Sequence, residues 1–266
     1  TLNYESTIGH LPPGAIFYSP EDGFTRKVGL LAAILPFAED TAVHGLLDYD
    51  DPAGTDNQLA PDGTPIASVV IDMYMCPNES SNPHWIDWEG VPRAMTSYVG
   101  SVGSAAYTDD YNKCRCSEAR STWNKFALGI SYDFDNIRDY SGPFTRHGVA
   151  TKLKRITDGL SKTIFFGEVR KDCSTHVRNG WLHSNNGSGL CGTVIPINYD
   201  SCQAEAENGC QKPCNWNTSM GFKSSHPGGA TFGFGDGSCR FIPEDIDHWT
   251  YQYLGDKSDG NPVSIN

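Results

Sequence analysis

No run of about 20 apolar residues, the length a membrane-crossing helix needs, occurs in the 266-residue chain. The longest apolar patch, 28–37, is broken by Gly29 and Pro36. Basic residues are scarce: 20 Lys and Arg stand against 32 Asp and Glu, a formal charge of -12. Such a chain repels phosphate backbones and anionic lipid, so nucleic acid is not an expected partner. The one basic run, Lys152 to Arg155, is too short to reverse that and reads as a solvated strand or turn face.

Catalytic signatures are also absent. The glycine-rich stretch from Gly228 to Gly237 fits neither the Walker nor the dinucleotide pattern, and it leads into a hairpin where a helix N-terminus would be required. There is no G-x-S-x-G elbow, no paired-histidine metal motif, and no spacing that singles out two carboxylates. We therefore expect a protein that is not an enzyme. Internal repeats and linker-like tracts are lacking, which favours a single domain over 1–266.

What is present is glycine (28), proline (16) and nine cysteines. The first two suggest a loop-rich α+β fold with an antiparallel sheet. The cysteines are Cys76, Cys114, Cys116, Cys173, Cys191, Cys202, Cys210, Cys214 and Cys239. Their irregular spacing does not complete a zinc pattern, so disulfides are the better reading. Six of the nine lie between 173 and 239, which suggests a disulfide-pinned insertion over about 173–217. An oxidising compartment follows: periplasm, cell surface or the extracellular space. Sequons at Asn78, Asn186 and Asn217 mark surface loops that would accept glycan. Two acidic groups, Asp48/Asp50/Asp51/Asp56 and Asp256/Asp259/Asn261, are candidate calcium ligands, although neither forms an EF-hand loop.

Local patterns place the elements. The opening residues to Ile8 read as the end of a helix stopped by Gly9. Helical spacing runs through Val28, Leu31, Ile34 and Leu35 and on to Leu47, and a short helix is expected at 66–71. Strands are expected at 96–102, 152–156 and 163–169. Asp236-Gly237 is a two-residue type I′ turn signal. Paired outward from it, Phe232, Phe234, Cys239 and Phe241 share one face, while Gly233, Gly235, Ser238 and Arg240 share the other. Pro243 to Asp245 would cap a final helix, 246–254, that packs on the hairpin. His226 is the most pointed histidine; either a ligand or a base near Asp236 or Glu168, or a structural residue, with the structural role favoured.

In order along the chain, several segments resemble a bacterial family with prepilin-type N-terminal processing and an H-X9-DG signature. His226 and Asp236-Gly237 carry that signature. The segments 3–14, Leu35 to Glu39, Tyr74 to Pro77, Thr96 to Gly100, and 156–164 with Asp158-Gly159 and on to Glu168 match as well. The resemblance implies a pilin-like head behind an apolar, processed helix that would precede Thr1 and provide the only membrane contact. It also implies self-association into a pilus-like or pseudopilus-like filament, or an envelope assembly, through that helix. A cysteine near the end of such a helix would pair with Cys76, leaving eight for four bridges. In this reading His226, Asp236, Gly237, Asp158, Gly159 and Glu168 are structural motif residues. The competing class is a secreted carbohydrate-binding module or hydrolase that stacks sugars on Trp85, Trp88, Trp123, Trp181 and Tyr107.

Overall fold

The computed structural model describes residues 1–15, 28–38, 41–51, 53–79, 81–87, 89–105, 114, 116, 141–145, 148–184, 189–261 and 263. The fold is α+β. A five-stranded sheet forms its centre, with β3 (Tyr98–Gly103), β4 (Ile164–Glu168), β5 (Leu190–Gly192), β6 (Gly229–Phe234) and β7 (Cys239–Pro243) in the order β5-β3-β4-β6-β7. A separate two-stranded ladder pairs β1 (His84–Ile86) with β2 (Pro92–Ala94). The main sheet is mixed, not antiparallel as expected, because β5 runs parallel to β3 along one edge. That strand lies within the 173–217 stretch, which thus contributes to the central sheet.

Both faces of the sheet are covered. On one side lie α2 (Leu30–Ile34) and the 3-10 turn Leu35–Phe37, with Leu30, Leu31, Leu35, Phe144, Phe165 and Val102 in one apolar cluster. Gly100 permits this contact: a Cβ there would lie 2.3 Å from Leu30 Cδ2 and 2.9 Å from Phe144 Cδ2. On the other side α5 (His248–Gly255) packs Tyr251 and Leu254 onto Val99, Ile164, Phe232 and Ile242. Phe222, Phe232 and Tyr251 meet edge to face, at centroid separations of 5.2 and 5.9 Å.

The remaining α-helices among the described residues are short: α1 (Leu2–Ile8), α3 (Thr41–His44) and α4 (Trp216–Ser219). Gly9 ends α1 in the left-handed region at φ 88°, as its sequence suggests. Residues 66–68 form a 3-10 turn within the helix expected at 66–71. Two local expectations are corrected. Leu153–Arg155 is a 3-10 turn, not a strand; three consecutive long side chains, none buried, offer no apolar face to a sheet. The cap of α5 is Asp247, whose carboxylate accepts from the N–H of Thr250 at 2.8 Å, so Pro243 still belongs to β7.

The hairpin differs from expectation by one residue. Gly233 faces Cys239, Phe232 faces Arg240 and Thr231 faces Phe241. The loop therefore has three residues, Gly235 to Gly237. Within it the N–H of Gly237 donates to the carbonyl of Phe234, and only Gly237 has a positive φ, 87°. A three-residue turn with glycine in the left-handed position suits Asp-Gly as well as a type I′ turn does. The slip flips β7: Ile242 joins Ala230, Phe232 and Phe234 inside, while Cys239 and Phe241 turn outward and are exposed.

Three disulfides join Cys114–Cys214, Cys116–Cys210 and Cys173–Cys202. Cys76, Cys191 and Cys239 are free, so the expected four bridges reduce to three. The reason is topological. Cys191 and Cys239 sit on the two outer strands, four strand spacings apart, which is about 19 Å and far beyond the ~7 Å Cα limit for a bridge.

Candidate functional site

Three chain segments distant in sequence converge where β4 ends. Tyr74, buried, anchors the first by donating its hydroxyl to the carbonyl of Leu31 at 2.7 Å. Two residues later the N–H of Cys76 donates to Ser97 Oγ at 2.9 Å, and the N–H of Ser97 returns a bond to the carbonyl of Tyr74 at 2.8 Å. Glu168, the last residue of β4, keeps its side chain 6% exposed. Its Oε2 accepts the N–H of Thr231 at 2.7 Å, and its carbonyl accepts that of Lys223 at 2.8 Å. His226 enters from the turn before β6. Its N–H bonds Ser224 Oγ, and the N–H of Ser224 bonds Asn198 Oδ1 at 2.7 Å.

This framework points three different donor atoms at one place. His226 Nε2 lies 3.6 Å from Glu168 Oε1 and 3.8 Å from Cys76 Sγ, and all three ligand atoms fall within 4.8 Å of one another. They line a cleft of about 10 Å³, together with Glu79, Ser97 and Ser225. That is room for one water or one ion and excludes an organic ligand. Tyr98 on β3, opposite Glu168, has its hydroxyl pushed up to about 12 by burial and then by the negative groups of Cys76 and Glu168. Thiol, imidazole and carboxylate together can move a proton or hold a soft-to-borderline metal ion.

The motif residues thus separate into distinct places. His226 and Glu168 meet, whereas Asp236-Gly237 stands at the far end of β6. There Asp236 Oδ1 accepts from the hydroxyl and the N–H of Ser238, bonds that hold its carboxyl below the usual range. Asp158 is elsewhere again. Its two oxygens accept the N–H groups of Asp259 and Gly260 at 2.7 and 3.0 Å, with Gly159 following at φ 101°. Asp158, Asp256 and Asp259 bring three carboxylates within 4.8 Å, so one of the two acidic groups read as calcium candidates gains a partner 101 residues upstream of Asp259. Burial, with Asp256 and Asp158 beside it, raises the carboxyl pKa of Asp259. The other group is dispersed. Asp48 and Asp51 bond their own following N–H groups, and buried Asp56 accepts from Ser184 and faces His183 at 3.5 Å.

Of the sequons, Asn78 is exposed and Asn186 lies outside the described residues. Asn217 is a correction: at 1% exposure inside α4 it is closed to a glycan-transferring enzyme in the folded state. The sugar-stacking surface fails in part for the same reason. Trp181 is 1% exposed and donates Nε1 to the carbonyl of Val69 at 2.8 Å, so it is a core residue. Trp85 is partly covered by the guanidinium of Arg178, 4.5 Å from its ring centroid. Trp88, Trp123 and Tyr107 lie outside the described residues.

Sequence reasoning had His226 and Glu168 but did not place Cys76 beside them, because 150 residues separate Cys76 from His226. A signal was available: each of the three belongs to one of the ordered family-like segments, and those segments meet at this cleft.

The fold and cleft define an α+β domain with disulfide-bonded loops, built on a mixed sheet. Residues 1–248 match the family described as a protein of unknown function (DUF1559), which carries the H-X9-DG motif, and the chain belongs to that family. No match is found among curated proteins or solved structures.

Proposed function

We propose that this chain is the extracellular or periplasmic head of a pilin-like subunit, whose work is assembly and not turnover. The observation that carries the reading is α1. None of its residues is buried, and Leu2 and Ile8 are 38% and 49% exposed. Its contact with the body includes Tyr4, which meets Phe37 edge to face at 5.4 Å. A helix held at the margin of a domain, with apolar side chains turned away from it, suits packing against neighbouring subunits. The family likeness supports this, since it implies a longer apolar helix leading into this segment. Three disulfides support an oxidising compartment. No helix among the described residues is long and apolar enough to cross a membrane. Copies of the same chain are the proposed partners, and the exposed Asn78 loop is the proposed point of contact with glycan.

The test is immunogold electron microscopy of native cell-surface and envelope material with antibody to this chain. Label spaced along regular filaments, or gathered on envelope assemblies, is expected. Label confined to dispersed single particles overturns the reading.

A further inference from the structure

We propose that Cys76, His226 and Glu168 form a metal site for a single zinc-like divalent ion. The proposal does not rest on the filament reading.

The distances favour an ion over a hydrogen-bonded triad. At 3.6 Å His226 and Glu168 are too far apart for a good hydrogen bond, and at 3.8 Å the thiol contact is a long one. Around a tetrahedral zinc ion, with bonds of ~2.3 Å to sulfur and ~2.0–2.2 Å to nitrogen and oxygen, the S···N and N···O separations are about 3.6 and 3.4 Å. The observed pair lies within a few tenths of an ångström of both.

The atoms are also held independently of any ion. Glu168 spends Oε2 on the N–H of Thr231, which leaves Oε1 towards His226. Cys76 is fixed through its backbone N–H to Ser97 and His226 through its own to Ser224. Such outer bonds are what orient metal ligands. The cleft admits one ion and little else.

The chemistry balances. On binding, the S–H bond of Cys76 breaks, its proton passes to solvent and the thiolate sulfur bonds the ion. One thiolate and one carboxylate then neutralise the 2+ charge while His226 binds as neutral imidazole. Sulfur and nitrogen donors select zinc or a similar borderline ion over calcium or magnesium. Three protein ligands leave the fourth position to water or to an incoming group. In an oxidising compartment this coordination also accounts for a free thiol beside a histidine. It competes directly with the expectation that Cys76 is bonded to a cysteine elsewhere.

The experiment is a titration of the purified full chain with Zn²⁺ alone by calorimetry, in buffers of differing ionisation enthalpy, and with Co²⁺ by absorption. Expected are one high-affinity ion per chain, net proton release, and a thiolate-to-cobalt charge-transfer band. Cys76→Ser and His226→Gln should each weaken binding by more than ~100-fold. Cys239→Ser and Asp256→Asn should leave it unchanged. The cobalt band is read on the unaltered chain, so the outcome does not depend on either ligand variant folding. Absence of the band, binding indifferent to His226→Gln, or a disulfide at Cys76 by mass spectrometry each overturn the proposal.

Discussion

The backbone N–H of Thr231 donates to Oε2 of Glu168 over 2.7 Å, extending the β4–β6 pairing by a side chain just past its last paired residues, Gly167 and Phe232. Because Glu168 is buried, Glu168→Ala leaves that amide without its acceptor. The loss should cost about 2 kcal/mol. Glu168→Gln retains a carbonyl oxygen for Thr231 and should cost less. Urea denaturation with chelator present separates this structural effect from any metal effect, and equal midpoints for Glu168→Ala and the parent chain refute it.

Lys223 is 2% exposed and directs its ammonium to the carbonyls of Thr218, Ser219 and Gly221. Burial lowers its pKa from 10.5 to about 8. Below pH 8 folded and unfolded chains are both charged, and the full penalty of the buried cation is present. Between about 8 and 10.5 the unfolded chain holds a proton that the folded one has released, so stability rises with pH. The contribution is on the order of 3 kcal/mol. Cys191, pushed up to about 12 by burial, acts in the opposite sense above the ordinary thiol value of 9. Comparison with Lys223→Met isolates the lysine. Relative to that variant, the parent chain should gain stability between neutral pH and about pH 9.5 in matched urea melts. A gap that stays constant or widens against the parent chain counts against a depressed lysine.

The bridges Cys114–Cys214 and Cys116–Cys210 lie side by side, spanning 100 and 94 positions. With one in place, the other closes only a loop of about six residues, worth about 2 kcal/mol; without either, a loop near 100 residues opens, worth about 5 kcal/mol more. Serine replacement of either pair alone should therefore cost about 2 kcal/mol, and replacement of both about 7 kcal/mol. Chemical denaturation of the three variants checks this, and simple additivity of the single losses contradicts it.

Legibility in the sequence followed the range of the interactions. Gly9, the two central strands and the Asp-Gly turn depend on neighbouring residues and were readable. The register of β6 on β7 was not, because Asp-Gly fits both a two-residue and a three-residue loop, and the bond from the N–H of Phe234 to the carbonyl of Ser238 is fixed by sheet packing. Leu153 to Arg155 carries β-like neighbours yet buries none of its three side chains, so local preference failed there. The cleft required contacts over 58 and 150 positions, from Glu168 to His226 and from Cys76 to His226. Motif order hinted at these contacts, but only tertiary structure supplies their distances.

The paired bridges also carry a mechanical consequence. Tension applied on either side of the 114–214 stretch passes through sulfur and bypasses the 100 positions between those cysteines. Forced extension of an oxidised chain should therefore fall short of a reduced one by roughly 350 Å, at ~3.5 Å per residue. A chain loaded along its length would yield early and then stop, the bridged segment staying slack while the rest bears the force.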